Sequence, residues 1–185
     1  MNSIEKHFPI WLLEYKSSSF EQSLFLIWYT DIDRNETDKF LTTKENKILA
    51  FTSFDEEIVK SSLKWVNFPI TIERPNIIDI DKIKKNIELD NLDDSTIEAL
   101  ADFINLFEDF VYQNDKNKLL EKYLKDNNID STWRYFYDYI FFPRFNDRDE
   151  YMKWNKPKLE INNQYLLDSL VQLVSVFENT FKVIK

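Results

Sequence analysis

Not one of the 185 residues in this chain is glycine, although average usage is about 7%. Glycine most readily adopts positive φ angles, and it lets a backbone approach a phosphate closely. Its absence therefore excludes the glycine-rich loops of P-loop, Rossmann and kinase sites, and also the glycine-flanked nucleophile elbow. Turns that need a positive φ must instead use Asn or Asp, which tolerate that conformation.

The chain also lacks cysteine and has a single histidine, His7. Disulfides, thiolate nucleophiles and cysteine-ligated metals are therefore excluded. A catalytic histidine needs a hydrogen-bonded partner and a rigid setting, which a position so near the start of the chain does not favour. We therefore expect a protein that is not an enzyme and carries no cofactor or metal.

Charge points to the class of partner. The net charge is −9 and the sequence pI is about 4.8, which disfavours nucleic acid and anionic membranes because both need a basic footprint. The first residues do not resemble a signal peptide, and the apolar run Leu24–Tyr29 is too short to span a bilayer. These features predict a cytoplasmic protein whose partner is a basic protein.

Strand patterns occupy the first part of the chain. Leu24–Thr30 is rich in aromatic and β-branched residues, and Lys39–Thr43 and Lys47–Thr52 flank a short polar turn with Asn46 near its apex. This order predicts a three-stranded antiparallel meander. Ser53 and Glu56 then have the spacing of a capping box, which predicts a helix to about Trp65.

Helical spacing dominates the second part. Asp79 can cap a short helix, and Ser95 with Glu98 forms a second capping-box pattern. Two further helices are predicted, one from a Ser131 cap to a stop at Pro143 and one over residues 163–183. We therefore predict a single α+β domain, 1–185, in which an antiparallel sheet of three to four strands in a lobe of residues 1–78 packs against a helical lobe of residues 79–185.

Two constellations have a possible chemical role. Asp31 and Asp33 follow a strand and could hold Mg²⁺, which prefers oxygen ligands, so a Mg²⁺-dependent hydrolase is one alternative. The aromatic segment Trp133–Phe142 lacks the surrounding basic residues that stacking on nucleic acid needs. Most of its rings are expected in the core, and any exposed ones would suit a protein interface.

The order of several segments resembles bacterial polymorphic-toxin immunity proteins, including those of contact-dependent growth inhibition systems. A strand over 25–30 ends in acidic residues, a hairpin follows over 40–51, and residues 53–57 open a helix. The segments 102–109 and 137–142 and the last helix also match. Where such proteins often have glycine in the hairpin, this chain has Asn46.

The resemblance implies an inhibitor that binds one cognate toxin domain, many of which are basic nucleases. Acidic residues of this chain would then pair with Lys or Arg of the toxin. The predicted toxin-binding residues are Asp31, Asp33, Glu36, Asp38, Asp55, Glu56, Glu57, Asp147, Asp149 and Glu150. A general acidic adaptor without a toxin partner is the second alternative.

Overall fold

A computed structural model of the protein describes residues 10–31, 37–53, 61, 75–114, 121–146 and 155–185. The fold is α+β, as predicted, with a sheet in the first part of the chain and helices in the second. One compact unit comprises Met1–Ile78 with Thr180–Lys185, and the other comprises Asp79–Asn179. The helix predicted from Ser53 to Trp65 lies mostly outside the described residues.

Six strands of the described chain form one sheet in the first unit. They are β1 (Ile10–Lys16), β2 (Leu24–Asp31), β3 (Thr37–Phe40), β4 (Ile48–Phe51), β5 (Asn76–Asp79) and β6 (Phe181–Ile184). The order across the sheet is β5-β1-β2-β4-β6, and β3 pairs with β2 beside this path. The sheet is mixed rather than purely antiparallel, because β6 runs parallel to β4 with Ile48 opposite Phe181.

The predicted hairpin is present, but β2, β3 and β4 do not form a simple meander. The N–H of Thr43 donates to the carbonyl of Lys47 at 2.8 Å, and Asn46 has a φ of 60°. Leu41 connects both partners, since its N–H donates to Ile27 on β2 and its carbonyl accepts from Leu49 on β4. β3 and β4 therefore pair with successive stretches of β2.

Both faces of the sheet carry buried apolar side chains. Leu12, Ile27 and Phe51 belong to a cluster on one face, whereas Leu13 and Leu26, which oppose each other in the β1–β2 register, are buried on the other. Successive side chains of a strand point to opposite faces. Burial on both faces therefore explains why β2 is a continuous apolar run rather than an alternating one.

The second unit is helical. Its elements are α1 (Ile80–Glu88), α2 (Asp94–Gln113), α3 (Glu121–Leu124), α4 (Asn127–Phe136), a π-helical turn (Tyr137–Phe141), α5 (Phe142–Asn146) and α6 (Asn163–Glu178). None of the described helices is both long and apolar enough to cross a bilayer.

Aspartates begin three of these helices. Asp79 caps α1 as predicted, accepting from the N–H of Lys82 at 2.9 Å. The predicted serine caps are wrong: Asp93 caps α2 by accepting from Thr96 at 2.8 Å, and Asp126 caps α4. A carboxylate satisfies the free N–H groups and also complements the positive end of the helix, so it is preferred over a nearby hydroxyl as the N-cap. The hydrogen bonds from Thr96 lower the pKa of Asp93.

A cluster of phenylalanines joins α2 to α6 in the core of this unit. Phe103 and Phe110 lie edge-on to Phe177 on α6, with ring centroids 5.8 and 5.5 Å apart. Edge-to-face rings add about 0.5–1.5 kcal/mol per pair beyond the burial of their area. These pairs fix the two longest described helices of the unit against each other.

The last predicted helix ends earlier than expected. It begins at Asn163 as predicted but stops at Glu178, and Phe181–Ile184 forms β6 instead of a continued helix to Val183. The Phe181 ring lies edge-on to Tyr15 of β1 at 5.3 Å. Pairing with the distant strand β4 therefore overrides a local pattern that is compatible with a helix.

Candidate protein-binding surface

Only two of the ten predicted toxin-binding residues fall in the part of the chain that the structure describes. These are Asp31, at the end of β2, and Asp38, in β3. The other eight lie outside the described residues, namely Asp33, Glu36, Asp55, Glu56, Glu57, Asp147, Asp149 and Glu150.

The two described carboxylates are already engaged within the sheet. The Nζ of Lys39 lies 2.7 Å from Oδ2 of Asp31, and the two side chains remain 16% and 22% exposed. Asp38 accepts from the hydroxyl of Thr30 at 2.6 Å. In the register, Asp31 opposes Thr37 while Asp38 opposes Thr30, so the two carboxylates point to opposite faces of the sheet. They therefore do not form one acidic face.

Only one of the two predicted Mg²⁺ ligands lies among the residues that the structure describes. Asp31 is held by Lys39, and Asp33 lies outside the described residues. Among the residues that the structure describes, no three His, Asp or Glu side chains come close enough together to hold a metal ion. Asp31 would have to give up its ammonium partner before it could coordinate a cation.

The aromatic segment divides between core and surface, but fewer of its rings are buried than the sequence predicts. Tyr135 and Phe136 pack with Ile140 against α2 in a buried cluster, and the hydroxyl of Tyr135 donates to the carbonyl of Pro157 at 2.6 Å. Phe141 and Phe142 are 42% and 49% exposed. The end of the segment, with Phe141 and Phe142, therefore lies at the surface.

A π-helical turn carries the chain from buried to exposed rings. The N–H of Phe142 donates to the carbonyl of Tyr137, five residues back. Pro143, predicted to stop the helix, does not do so, since it is the second residue of α5, which follows the π-helical turn directly and runs to Asn146. Single π turns of this kind occur frequently at functional sites.

Three exposed rings follow, and we call Phe141, Phe142 and Phe145 the phenylalanine surface. Phe145 is 79% exposed. Its ring stacks on that of Phe141, with centroids 6.1 Å apart and planes 15° from parallel. Phe141 and Phe142 lie 5.4 Å apart. Scattered exposed apolar residues are ordinary, but contiguous ones mark interaction sites.

An ion pair joins α5, which carries two of these rings, to a carboxylate of α2. The Nη1 of Arg144, between Phe142 and Phe145 in sequence, lies 3.0 and 2.9 Å from the two carboxylate oxygens of Glu98. Asp102 follows one helical turn after Glu98. Loss of hydration at its carboxyl group, together with the charge of Glu98, raises the pKa of Asp102 to about 6. No described cation is paired with Asp102 within ion-pair distance.

Sequence reasoning missed three residues of this arrangement. The sequence predicts no binding role for Glu98, which belongs to a capping-box pattern there, for Asp102, which lies in the segment 102–109, or for Phe145. A usable signal exists. On the side of the helix opposite the buried Ile140, side chains recur every three or four residues. Along the chain this side changes from polar to aromatic residues, namely Arg134, Asp138, Phe142 and Phe145.

Comparison with known proteins concerns the fold. No family model matches the sequence, and no curated protein matches it. Among solved structures, the C-terminal domain of SatS, crystallised in complex with bromine, is similar with a TM-score of 0.57. The match covers 95% of this chain and 94% of that domain at 11% sequence identity. At this identity the similarity is one of fold alone.

Proposed function

We propose that this protein binds and neutralises one cognate bacterial toxin domain in the cytoplasm of the cell that produces it. The observation that carries the proposal is the phenylalanine surface, in which contiguous exposed aromatic rings share a segment with the Arg144–Glu98 ion pair. Aromatic anchors at the centre and charged groups at the rim are the usual anatomy of a specific protein interface. The segment order that resembles immunity proteins supports the same function.

The overall charge of −9 suits a basic toxin such as a nuclease. Complementary charges raise association rates to about 10⁸–10⁹ M⁻¹s⁻¹ at low salt. Rapid capture matters for an inhibitor because a free toxin molecule acts until it is bound. A standard interface of roughly 1,600 Å² in total is within reach of a chain of this size.

Co-expression with the toxin encoded beside its gene tests the proposal. We expect growth to be restored and the two proteins to co-purify, whereas an unrelated toxin of similar charge should still kill. Association should slow markedly as salt is raised, because screening weakens charge steering. Failure of both rescue and co-purification would refute the proposal. Rescue of cells from unrelated toxins would instead indicate a general acidic adaptor.

A further inference from the structure

The phenylalanine surface is continuous with buried rings. Its rings continue inward through Tyr137, which contacts Phe141 and Phe142 at 5.4 and 5.5 Å, to the buried Phe136. Ile140, fully buried in the π-helical turn, anchors the opposite side. An anchored surface loses little conformational freedom when it is covered, so more of the contact energy appears as affinity.

The charged groups beside the surface select what can cover it. Glu98 has one cation, Arg144, while Asp102 on the next turn has no described cation within ion-pair distance. Asp138, which is exposed, lies one turn before Phe142. Loss of hydration, followed by the charge of Glu98, raises the pKa of Asp102, and no described cation compensates this carboxylate. A cation brought by a partner would supply that compensation.

Two other occupants fit these charges poorly. A second copy of the chain would bring its own net charge of −9 and the same carboxylates against this surface. An anionic lipid headgroup would be repelled in the same way. A basic protein segment satisfies both the apolar and the charged parts.

We propose that Phe141, Phe142 and Phe145, with Glu98 and Asp102 at their edge, form the docking surface for a segment of the partner that presents apolar side chains flanked by Lys or Arg. The inference rests on the proposed function for the partner's identity as a toxin. The apolar side chains would cover the rings, and a Lys or Arg would pair with Asp102. Phe145 would be the main anchor, because it is the most exposed ring.

The test uses the full chain with the toxin and with two synthetic probes. The probes are a short helical peptide of leucine and lysine, and a matching peptide of leucine and glutamate. Calorimetry should show that the lysine peptide binds and the glutamate peptide does not. Phe145→Ser should weaken binding of both toxin and lysine peptide by about 30-fold or more, as expected for an anchor residue.

A matched control separates the surface from general stickiness. Tyr165 on α6 is also an exposed aromatic, at 63%, and Tyr165→Ser should leave both affinities within about twofold. Asp102→Asn should weaken binding more than Asp168→Asn, which removes one charge from an exposed position of α6. Circular dichroism and thermal melting confirm that each variant is folded.

The outcomes distinguish this inference from the proposed function. If the wild-type chain rescues the cell but Phe145→Ser binds the toxin equally well, the surface is wrong and the function stands. If there is no rescue but the lysine peptide binds at Phe145, the surface stands and the toxin partner is wrong. Equal binding of both peptides, self-association lost in Phe145→Ser, or binding to anionic vesicles lost in Phe145→Ser would overturn the proposed occupant.

Discussion

Asp31 on β2 and Asp102 on α2 are both carboxylates of an acidic chain, but they have different surroundings. Asp31 is paired with Lys39 at 2.7 Å inside a strand register that also fixes its direction. Asp102 stands beside another carboxylate, and its pKa is raised to about 6. The first carboxylate is paired within the sheet, whereas the second is the one that we propose a partner's cation would stabilise.

This difference shows that acidity alone does not locate an interface. Several acidic residues follow one another at the end of β2, but the charge of Asp31 is already paired with Lys39 and should attract a partner only weakly. In the helical unit, three exposed rings share a segment with Arg144, which pairs with Glu98. The relevant quantity is the charge that remains uncompensated next to apolar area.

The largest expected effect is on stability, and it distinguishes the buried residue beneath the phenylalanine surface from the exposed rings themselves. Ile140 is fully buried in the π-helical turn, so Ile140→Ala should lower the free energy of unfolding by roughly 2–5 kcal/mol through lost burial and a cavity. Urea denaturation measures this change. Phe142→Ala, two residues away and half exposed, should change it by less than about 0.5 kcal/mol. Similar effects of the two substitutions would show that the rings are structural.

The next prediction concerns the sheet unit. Thr30→Val keeps the shape of the side chain but removes the hydroxyl that donates to Asp38 at 2.6 Å. We expect a loss of about 1 kcal/mol in stability, because the carboxylate is partly buried and loses a partner. Denaturant titration at neutral pH is the measurement. Thr42→Val, at the bridged position opposite Ile48 in the same sheet, is the matched control, and an equal loss there would assign the effect to strand preference.

A smaller effect is expected at the ion pair. Asp31→Asn should cost about 0.2–1 kcal/mol in stability, since partly solvated ion pairs contribute little. Its effect on toxin affinity should stay below about threefold, because the charge is already compensated by Lys39. Surface-immobilised toxin gives the affinity directly. A tenfold or greater loss of toxin affinity would contradict this prediction and would indicate that the interface lies at the end of β2.

The smallest effect depends on pH. The folded chain holds the proton of Asp102 up to about pH 6, against an ordinary pKa of 3.8. Stability from this group is therefore present at low pH and is lost as the pH rises from about 4 to about 6. Asp102→Asn should stabilise the chain at pH 7 by less than about 1 kcal/mol, since the position is exposed, and should give no advantage near pH 4. Urea midpoints at both pH values test this, and the opposite order would contradict the assigned cause.

Local signals predicted part of this molecule well. Asn46 at the hairpin apex and Asp79 at the start of α1 follow from the conformational range and hydrogen-bonding groups of those residues alone. The α+β class follows from strand patterns that precede helical ones. Each depends on neighbours within a few residues, which is the range over which a sequence pattern is informative.

The remaining errors have non-local causes. Phe181–Ile184 has no local feature that separates strand from helix, and β4 decides its conformation. From the sequence alone, Pro143 predicts the end of a helix, because the π-helical turn before it cannot be recognised there. The part of the site that was missed depends on contact between α2 and Arg144, a pairing that spacing along one helix cannot reveal.

The parallel pairing of β4 with β6 has a consequence for how the chain folds. β4 ends at Phe51, and its partner begins only at Phe181, so this pair closes a loop that contains the whole helical unit. Contacts so distant in sequence slow folding, because loop closure must precede the contact energy. During synthesis, the edge of β4 that pairs with β6 would remain unpaired until the helical unit has been synthesised. Helices formed early would shorten the effective loop, so substitutions in the α2–α6 core should slow completion of the sheet as well as weaken the helical unit.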